Sequence, residues 1–266
     1  MSDYFHPLIS AIHRVTPPVQ SQWLDDQLAS LAISSNLKSD LLTAFTRARR
    51  FVGHAPLGVT APELSTPIGT VNIQTWDAGN AARIVLLIKA LTLDAPTQPD
   101  TVIYIYRMAD DAEKAVVISG LALYANDSRY KALALEAGRT NSLPLFKALA
   151  VANPYPAAYY NEAEFNQLVL KSLFIGVNTE QIMGLAQRVN PTLSRMCEDY
   201  YDERHAAART IPADIWLSIA PHASARGLNY LAQALNAVDP QQRYYAELAV
   251  ARFKPPLPER LEVVKL

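Results

Sequence analysis

The sequence predicts an all-α protein, and three observations lead to this fold class. Apolar residues recur at helical spacing along most of the 266-residue chain. Capping residues stand before these stretches, most clearly Asn190 and Asp239, each followed by a proline at the first helical position. The links between the stretches are short, which favours antiparallel neighbours. The same signal places further caps at Asp111, Asp127 and Asn141.

From residue 78 onward the predicted helices follow one another with few interruptions. Antiparallel helical hairpins at fairly regular intervals predict an irregular HEAT-like solenoid, although an irregular bundle gives the same local pattern. Two segments are rich in β-branched residues, Thr70–Trp76 and Thr101–Tyr106, but two strands are too few to build a sheet. We therefore predict that Thr70–Trp76 is an extended loop and that Thr101–Tyr106 is helical. The predicted helices span residues 78–94, 98–108, 111–124, 128–139, 142–151, 158–175, 179–188, 191–209, 212–219, 226–236 and 240–252.

Residues 52–77 form the one long irregular region, in which prolines and glycines recur. We therefore predict two domains. Residues 1–77 would form an N-terminal helical cap with an irregular linker, and residues 78–266 a helical-repeat-like domain. The proline-rich segment Lys254–Pro258 is predicted to be extended.

The charge and hydropathy of the chain exclude several classes of partner. It carries 24 basic and 25 acidic residues, a net charge of -1, without a long run of one sign, so we expect no nucleic acid. Apolar runs such as Ile84–Ile88 end before they could span a bilayer, so we expect no direct membrane insertion. The N-terminus lacks a signal-peptide pattern and Cys197 is the single cysteine, which fits a cytoplasmic protein.

No pattern in the sequence indicates a cofactor or a catalytic centre. Glycine-rich phosphate loops are absent, and no serine or cysteine lies in a nucleophile-elbow context. One cysteine and scattered histidines cannot supply a closed zinc shell. Asp199, Asp202, Glu203 and His205 have the side chains of metal ligands. However, positions 199, 203 and 205 point in different directions on a helix, and a second helix would have to supply more ligands. We therefore expect neither a metal nor another cofactor.

The predicted helix 158–175 carries an amide inside its apolar face. On a helical wheel Asn166 falls between Leu170 and Leu173, while Lys171 lies on the remaining polar strip. A buried amide needs hydrogen-bond partners. Asn166 therefore either satisfies the backbone of a neighbouring loop, such as Asn153–Pro156, or contacts a ligand.

The predicted helix 191–209 carries a charge in a similar position. Its apolar stripe runs through Leu193, Met196, Cys197, Tyr200 and Ala207. Arg204 projects from the middle of this stripe, so we predict a buried and paired guanidinium. Either it belongs to an ion-pair network that joins the helix to its neighbour, or it forms an anion or carboxylate site with Lys171. Asp199 and Glu203 lie at the edge of the stripe, and Glu198, Asp202 and Arg209 are expected to face outward.

Several short motifs in the second half of the chain occur together and in a fixed order. They are Ala137–Asn141, Asn153–Pro156, Phe165–Lys171, Asn190–Pro191, Arg195–Met196, Asp199–Tyr200, Glu203–Arg204 and Ala207–Arg209. In these motifs the chain resembles the EboA family of metabolite traffic proteins, over residues of about 110 to 250.

The resemblance implies a helical cytosolic protein that is encoded with a TIM barrel like those of metal-dependent hydrolases, a UbiA-type membrane prenyltransferase and a sugar-phosphate-isomerase-like protein. In cyanobacteria such a set is associated with moving a scytonemin precursor towards the periplasm. No catalytic residue follows from the resemblance. The motif positions that we assign to ligand or partner binding are Asn153, Asn166, Lys171, Arg195, Asp199, Glu203 and Arg204.

Three functions fit these observations. The leading one is a non-enzymatic scaffold or carrier in secondary-metabolite biosynthesis and export, which binds proteins of the same gene cluster or a small hydrophobic metabolite. The second is an enzyme that acts on that metabolite in a polar pocket between helices 158–175 and 191–209, where Lys171, Glu203 and Arg204 would have to converge. The third is a general peptide-binding helical solenoid, with Asn166 lining an exposed groove.

Overall fold

The computed structural model describes residues 4–93, 98–124 and 128–257, and within these ranges the protein is all-α, as predicted. One short hairpin is the exception among the described residues. The helices are α1 (Phe5–Val15), α2 (Pro18–Ala32), α3 (Leu37–Val52), α4 (Ala78–Leu93), α5 (Gln98–Met108), α6 (Asp111–Ser119), α7 (Leu121–Tyr124), α8 (Lys131–Gly138), α9 (Leu143–Ala150), α10 (Tyr155–Tyr159), α11 (Glu162–Ile175), α12 (Leu185–Arg188), α13 (Pro191–Ala206), α14 (Trp216–Ile219), α15 (Ala225–Ala234) and α16 (Pro240–Phe253).

The hairpin lies in the region where we predicted an extended loop. Strands β1 (Glu63–Thr66) and β2 (Gly69–Asn72) pair antiparallel, with Leu64 opposite Val71, and both of these side chains are buried. The turn requires a positive φ of 138° at Gly69, which a residue without a Cβ adopts at little cost. The loop prediction for Thr70–Trp76 is therefore wrong at its start, whereas the helix prediction for Thr101–Tyr106 is confirmed by α5.

Helix α4 forms the centre of the first of two compact units, which ends at Tyr159. Every residue from 81 to 88 is buried, so the helix is covered around its whole circumference. Helices α1, α2, α3, α5, α6 and α7 pack against it. Helix α4 packs most extensively on α3, so residues on both sides of position 77 lie in this unit.

The second unit begins at Tyr160 and is built around a short buried helix. All four residues of α14 are buried, and α12, α13 and α16 pack against it. Its Trp216 and Leu217 are at most 1% exposed. Helix α11 adds its apolar face to α13 in the same unit.

The predicted helices exist, but several of their boundaries differ. The predicted helix 191–209 ends at Ala206, and 111–124 is interrupted at Gly120. Only Leu185–Arg188 of the predicted helix 179–188 is α-helical, after a 3₁₀ turn at Thr179–Gln181. None of the described helices combines the length and the apolar character that a bilayer span requires.

Two of the predicted caps are confirmed. The Oδ1 atoms of Asn190 and Asp239 accept hydrogen bonds from backbone N–H groups at the starts of α13 and α16. Asp110 rather than Asp111 caps α6, in a reciprocal capping box with Glu113. Helix α9 begins after Ser142, one residue beyond the predicted cap Asn141, and Asp127 lies outside the described residues.

Candidate functional site

Arg204 does not occupy the buried position that we predicted. Helix α13 ends at Ala206, and a positive φ of 51° at Ala208 turns the chain back, so that Thr210 reaches the guanidinium. Arg204 Nε and Nη2 donate to the Thr210 carbonyl at 2.9 and 2.6 Å. The wheel placed Ala207 in the buried stripe because it continued the helix to residue 209, whereas Arg204 lies within α13, in its last turn. In fact Arg204 is only partly buried, and Ala207 is exposed.

Glu198 is the buried charge of this helix, although we predicted that it faces outward. Its side chain is 2% exposed. Oε1 accepts the backbone N–H of Ser224 at 2.8 Å, and Oε2 accepts the Ser224 hydroxyl at 2.6 Å. The N-terminus of α15 covers this side of α13, which the sequence of α13 alone does not reveal. The carboxylate is therefore satisfied where it is buried.

Arg226 organises the ion pairs between α13 and α15. Its Nη2 lies 2.9 Å from Asp199 Oδ1 and 3.3 Å from Glu198 Oε2, and its Nη1 pairs with Asp202. The hydrogen bond to Asp199 is the main reason why the pKa of Arg226 is raised. The ion-pair network expected on this helix is thus present, but it is centred on Arg226 rather than on Arg204.

Asn166 is buried, as predicted, and pairs with the cap of α13. Its Nδ2 donates to Asn190 Oδ1 at 3.3 Å, and Asn190 Nδ2 donates back to Asn166 Oδ1 at 2.9 Å. Since Asn190 Oδ1 also accepts the Leu193 N–H, one amide both caps α13 and joins it to α11. This structural partner differs from the Asn153–Pro156 loop that we named.

Asn153 has its side chain engaged inside the first unit. Both hydrogens of its Nδ2 are donated, to the carbonyls of Ile118 and Ala148 at 3.0 and 2.9 Å. Its Oδ1 accepts the Tyr155 N–H at the start of α10. With 4% exposure, this amide has no donor left for a ligand.

The other predicted binding residues lie apart from the cavities described next. Lys171 is partly buried on α11, which lowers its pKa, whereas Arg195 and Glu203 are exposed on α13. None of the seven predicted binding residues lines either cavity of the second unit described below.

We call the first of these cavities the aromatic cavity; it is lined chiefly by Tyr201, Trp216, Ala234, Ala237, Asp239 and Gln242. Its volume is about 290 Å³. The Tyr201 ring stacks on Tyr230 at a centroid distance of 4.4 Å, and the Trp216 ring lies 5.5 Å from it. Burial and the hydrogen bond to Asp202 raise the pKa of Tyr230 to about 12, so its phenol stays protonated and holds this stack in place.

The side of the aromatic cavity formed by α16 is held by one amide. Gln242 Oε1 accepts the indole N–H of Trp216 at 2.8 Å, and its Nε2 donates to the Ile211 carbonyl at 2.8 Å. Both ends of the amide are thereby fixed. The cavity is consequently formed before any ligand arrives, which reduces the entropic cost of binding.

The second cavity has a similar volume of about 280 Å³ but a more polar surround. Its Asp214 Oδ2 accepts hydrogen bonds from the N–H and hydroxyl of Thr179, and its Tyr245 hydroxyl accepts one from Asn178 Nδ2. These polar groups are hydrogen-bonded to one another. The polar side chains of this cavity therefore have less capacity for a ligand.

The described residues contain no group of His, Cys, Asp and Glu side chains that is arranged to hold a metal ion. Cys197 is fully buried, and this burial raises the pKa of its thiol to about 12. The thiol is therefore protonated at neutral pH and is a poor nucleophile.

The sequence did not indicate the residues of the aromatic cavity. Tyr201 and His205 are one helical turn apart and their rings are parallel within 8°, which is a recognisable pair on a helix. Trp216 follows only after a change of direction, and Gln242 comes from α16. No local spacing connects these three segments.

A family model described as metabolite traffic protein EboA matches residues 5–220. The match reaches much closer to the N-terminus than the resemblance over residues of about 110 to 250, and it includes α1–α4. The curated proteins contain no match to the chain, and no solved structure matches it.

Proposed function

The chain belongs to the EboA family of metabolite traffic proteins, and from this premise we propose that it acts as a non-enzymatic scaffold or carrier for a metabolite. The family match over residues 5–220 is the observation that carries the proposal. The structure adds support in two ways. Asn153 and Asn166 serve the fold, and the second unit offers a preformed cavity with aromatic walls.

The finer features of this function are also proposals. We propose a cytoplasmic protein that acts in the biosynthesis of a secondary metabolite similar to a scytonemin precursor, and in its export towards the periplasm. Its partners would be a TIM-barrel hydrolase-like protein and a UbiA-type prenyltransferase of the same gene cluster. Stacking of helical hairpins as an irregular HEAT-like solenoid has local support from the contacts of α2 with α3 and of α3 with α4. The all-round burial of α4 is more typical of a bundle.

The traffic role is tested by deleting the gene in the source organism and measuring metabolites separately in the cytoplasmic and periplasmic fractions. We expect a precursor to accumulate in the cytoplasm and its product to fall in the periplasm, with recovery on re-expression of the intact chain. Unchanged metabolites in both fractions would contradict the proposal.

The same strain separates a carrier from an enzyme. A chain with Lys171→Met and Glu203→Gln removes two of the groups that the enzymatic alternative requires, and neither lines the described cavities. We expect this variant to restore metabolite distribution like the intact chain. Failure to do so by a folded variant would favour catalysis.

The scaffold arm of the proposal is tested by affinity purification of the tagged chain from detergent-solubilised cells. We expect the UbiA-type prenyltransferase or the hydrolase-like protein to co-purify in the wild-type strain. If neither protein co-purifies under conditions that preserve membrane complexes, the scaffold role is contradicted and the carrier role remains.

A further inference from the structure

We propose that the aromatic cavity binds a planar aromatic molecule of one or two rings that carries a single O–H or N–H donor. The inference rests on the proposed function, because it names the class of metabolite that the protein would carry. The cavity volume of about 290 Å³ lies just below the usual range of ligand pockets, which is roughly 300–1,000 Å³. A small ligand is therefore favoured over a long-chain lipid.

The apolar part of the cavity favours a flat ring. Tyr201 is held by Tyr230, and Trp216 is held by its bond to Gln242, so two aromatic side chains have fixed positions. Ala234 and Ala237 lack bulk and leave the space open. Rings gain more from such aromatic neighbours than saturated groups of the same size, through edge and offset contacts.

The polar part of the cavity favours one donor on that ring. Asp239 is the only charged residue among those that line the cavity. Its Oδ1 caps α16 through the Gln241 N–H, which leaves Oδ2 to accept a hydrogen bond from a ligand. The carbonyls of Thr210 and Ala237 already accept from Arg204 and Arg243. Asp239 is consequently the charged acceptor of this cavity, and it can select for a donor.

The ligand class is tested by isothermal titration calorimetry of the full chain with three probes on the same skeleton. The probes are 2-naphthol, 2-methoxynaphthalene, which lacks the donor, and decahydro-2-naphthol, which lacks the aromatic rings. We expect 2-naphthol to bind about three- to tenfold more tightly than the saturated alcohol, from the usual strength of aromatic contacts. Loss of the donor should weaken binding by about fivefold. Equal binding of all three probes, or no binding of 2-naphthol, overturns the proposal.

The location is tested by filling each cavity in turn with the same substitution. Ala237→Leu fills the aromatic cavity, and Ala213→Leu, the matched control, fills the second cavity. We expect Ala237→Leu to weaken 2-naphthol binding by about tenfold or more and Ala213→Leu to change it by less than about twofold. Thermal unfolding of both variants establishes that they are folded. Equal loss in both, or loss only in Ala213→Leu, contradicts the assignment.

A third variant separates the hydrogen bond to Asp239 from the effect of the cavity volume. Asp239→Asn keeps a good cap for α16 but replaces the charged acceptor by a neutral one. It should weaken 2-naphthol and leave 2-methoxynaphthalene unchanged, and an equal effect on both probes contradicts a hydrogen bond to Asp239.

The inference and the proposed function can fail separately. If the cavity binds 2-naphthol as described but gene deletion changes no metabolite, the site stands and the traffic role fails. If deletion alters metabolite distribution and Ala237→Leu restores it fully, the traffic role stands and the cavity is not its ligand site.

Discussion

Among the residues that the structure describes, the buried guanidinium belongs to Arg83. Its Nη2 lies 2.7 Å from Glu113 Oε1, and its Nε donates to the Phe45 carbonyl at 3.0 Å. Both charged side chains are less than a tenth exposed. Burial lowers the pKa of Arg83, an effect that the nearby Glu113 opposes. The pair therefore joins α3, α4 and α6 through one charged group.

Replacing Arg83 tests how much of the first unit depends on this pair. Arg83→Ala leaves Glu113 buried without its partner and should lower the free energy of unfolding by about 3–5 kcal/mol. Arg204→Ala is the matched control, since Arg204 is partly exposed and bonds to one carbonyl, and it should cost about 1 kcal/mol. Urea unfolding followed by circular dichroism measures both. Similar losses of unfolding free energy in the two variants would show that the buried pair contributes no more than the exposed hydrogen bond of Arg204.

Cys197 provides a second test at the scale of one residue. Because burial raises the pKa of its thiol to about 12, the folded protein should react with iodoacetamide at pH 8 far more slowly than the same protein in urea. Mass spectrometry measures the rate. Rapid stoichiometric labelling of the native protein would show that the thiol is accessible.

The same thiol makes a contribution to stability that depends on pH. The pKa in the folded chain is raised above the unfolded value of about 8.5, so the contribution is complete below that pH and is lost as the pH rises towards about 12. Replacing Cys197 by serine or alanine should flatten part of the alkaline fall in the urea midpoint. An unchanged alkaline profile would contradict this assignment.

At the scale of elements, α13 and α15 approach closely because one residue of α15 has no side chain. A Cβ at Gly227 would lie 2.2 Å from Glu198 Oε1 and 3.2 Å from the Ile219 side chain. The carboxylate cannot move away readily, because Ser224 and Arg226 hold it. Gly227 is thus needed for the contact between helices rather than for its φ angle.

Gly227→Ala should therefore lower the free energy of unfolding, whereas a typical replacement of glycine by alanine in a helix raises it. Alanine normally stabilises a helix by about 1 kcal/mol, but the overpacking here should give a net loss of about 1–2 kcal/mol. In a Glu198→Ala background the same change should become neutral or stabilising. A cost that is equal in both backgrounds, measured by urea unfolding, would contradict the close approach.

The junction of α11 and α13 depends on Asn190 in two ways. Asn190→Ala removes the cap, which should lower the free energy of unfolding by about 1 kcal/mol. It also leaves the buried Asn166 amide without this partner, which should lower it by about a further 1–3 kcal/mol. Asp239→Ala removes a cap with an exposed hydrogen bond and should cost only about 1 kcal/mol. Equal losses in thermal unfolding would show that the amide pair contributes little.

At the scale of the whole molecule, the family match and the folded unit end at different places. The match ends at residue 220, inside the second unit, while α15 and α16 lie beyond it. These helices supply Gln242 to Trp216 and Arg226 to Glu198. Ala246 and Ala249 of α16 are fully buried. The part of the chain outside the match is therefore integral to the core.

A chain shortened after His222 keeps the full family match but loses α15 and α16. We expect the remaining part of the second unit to be unfolded, with rapid proteolysis beyond Tyr160 and less helical circular dichroism per residue, because α14 loses its cover. A chain shortened after residue 257 is the control and should remain protected. Equal protease resistance of the two would contradict the dependence on α16.

The sequence predicts where the helices of this protein lie better than how they pack against one another. Caps and apolar periodicity are local, so Asn190 and Asp239 could be assigned correctly. The burial of Glu198 depends on α15, which approaches from about 26 residues along the chain, and no property of α13 reveals it. Arg83 did carry a signal, since it lies within an apolar run from Ala81 to Ile88, where every helical face is apolar.

The candidate site was the least predictable part. Composition supplied charged and amide residues on two helices, but convergence on a cavity depends on where turns redirect the chain. The reversal at Ala208 brings Thr210 to Arg204 and allows Trp216 to reach α16. A wheel that continues α13 to residue 209 cannot represent that reversal.

The contact between Glu198 and Gly227 also has a consequence for how this sequence can evolve. A side chain can appear at position 227 only after position 198 has lost its long carboxylate, because the two atoms would otherwise occupy the same space. Substitutions at the two positions should therefore be correlated among homologues, with glycine at 227 wherever glutamate stands at 198. Each intermediate that changes position 227 first is disfavoured, so the order of the two substitutions is constrained as well as their combination.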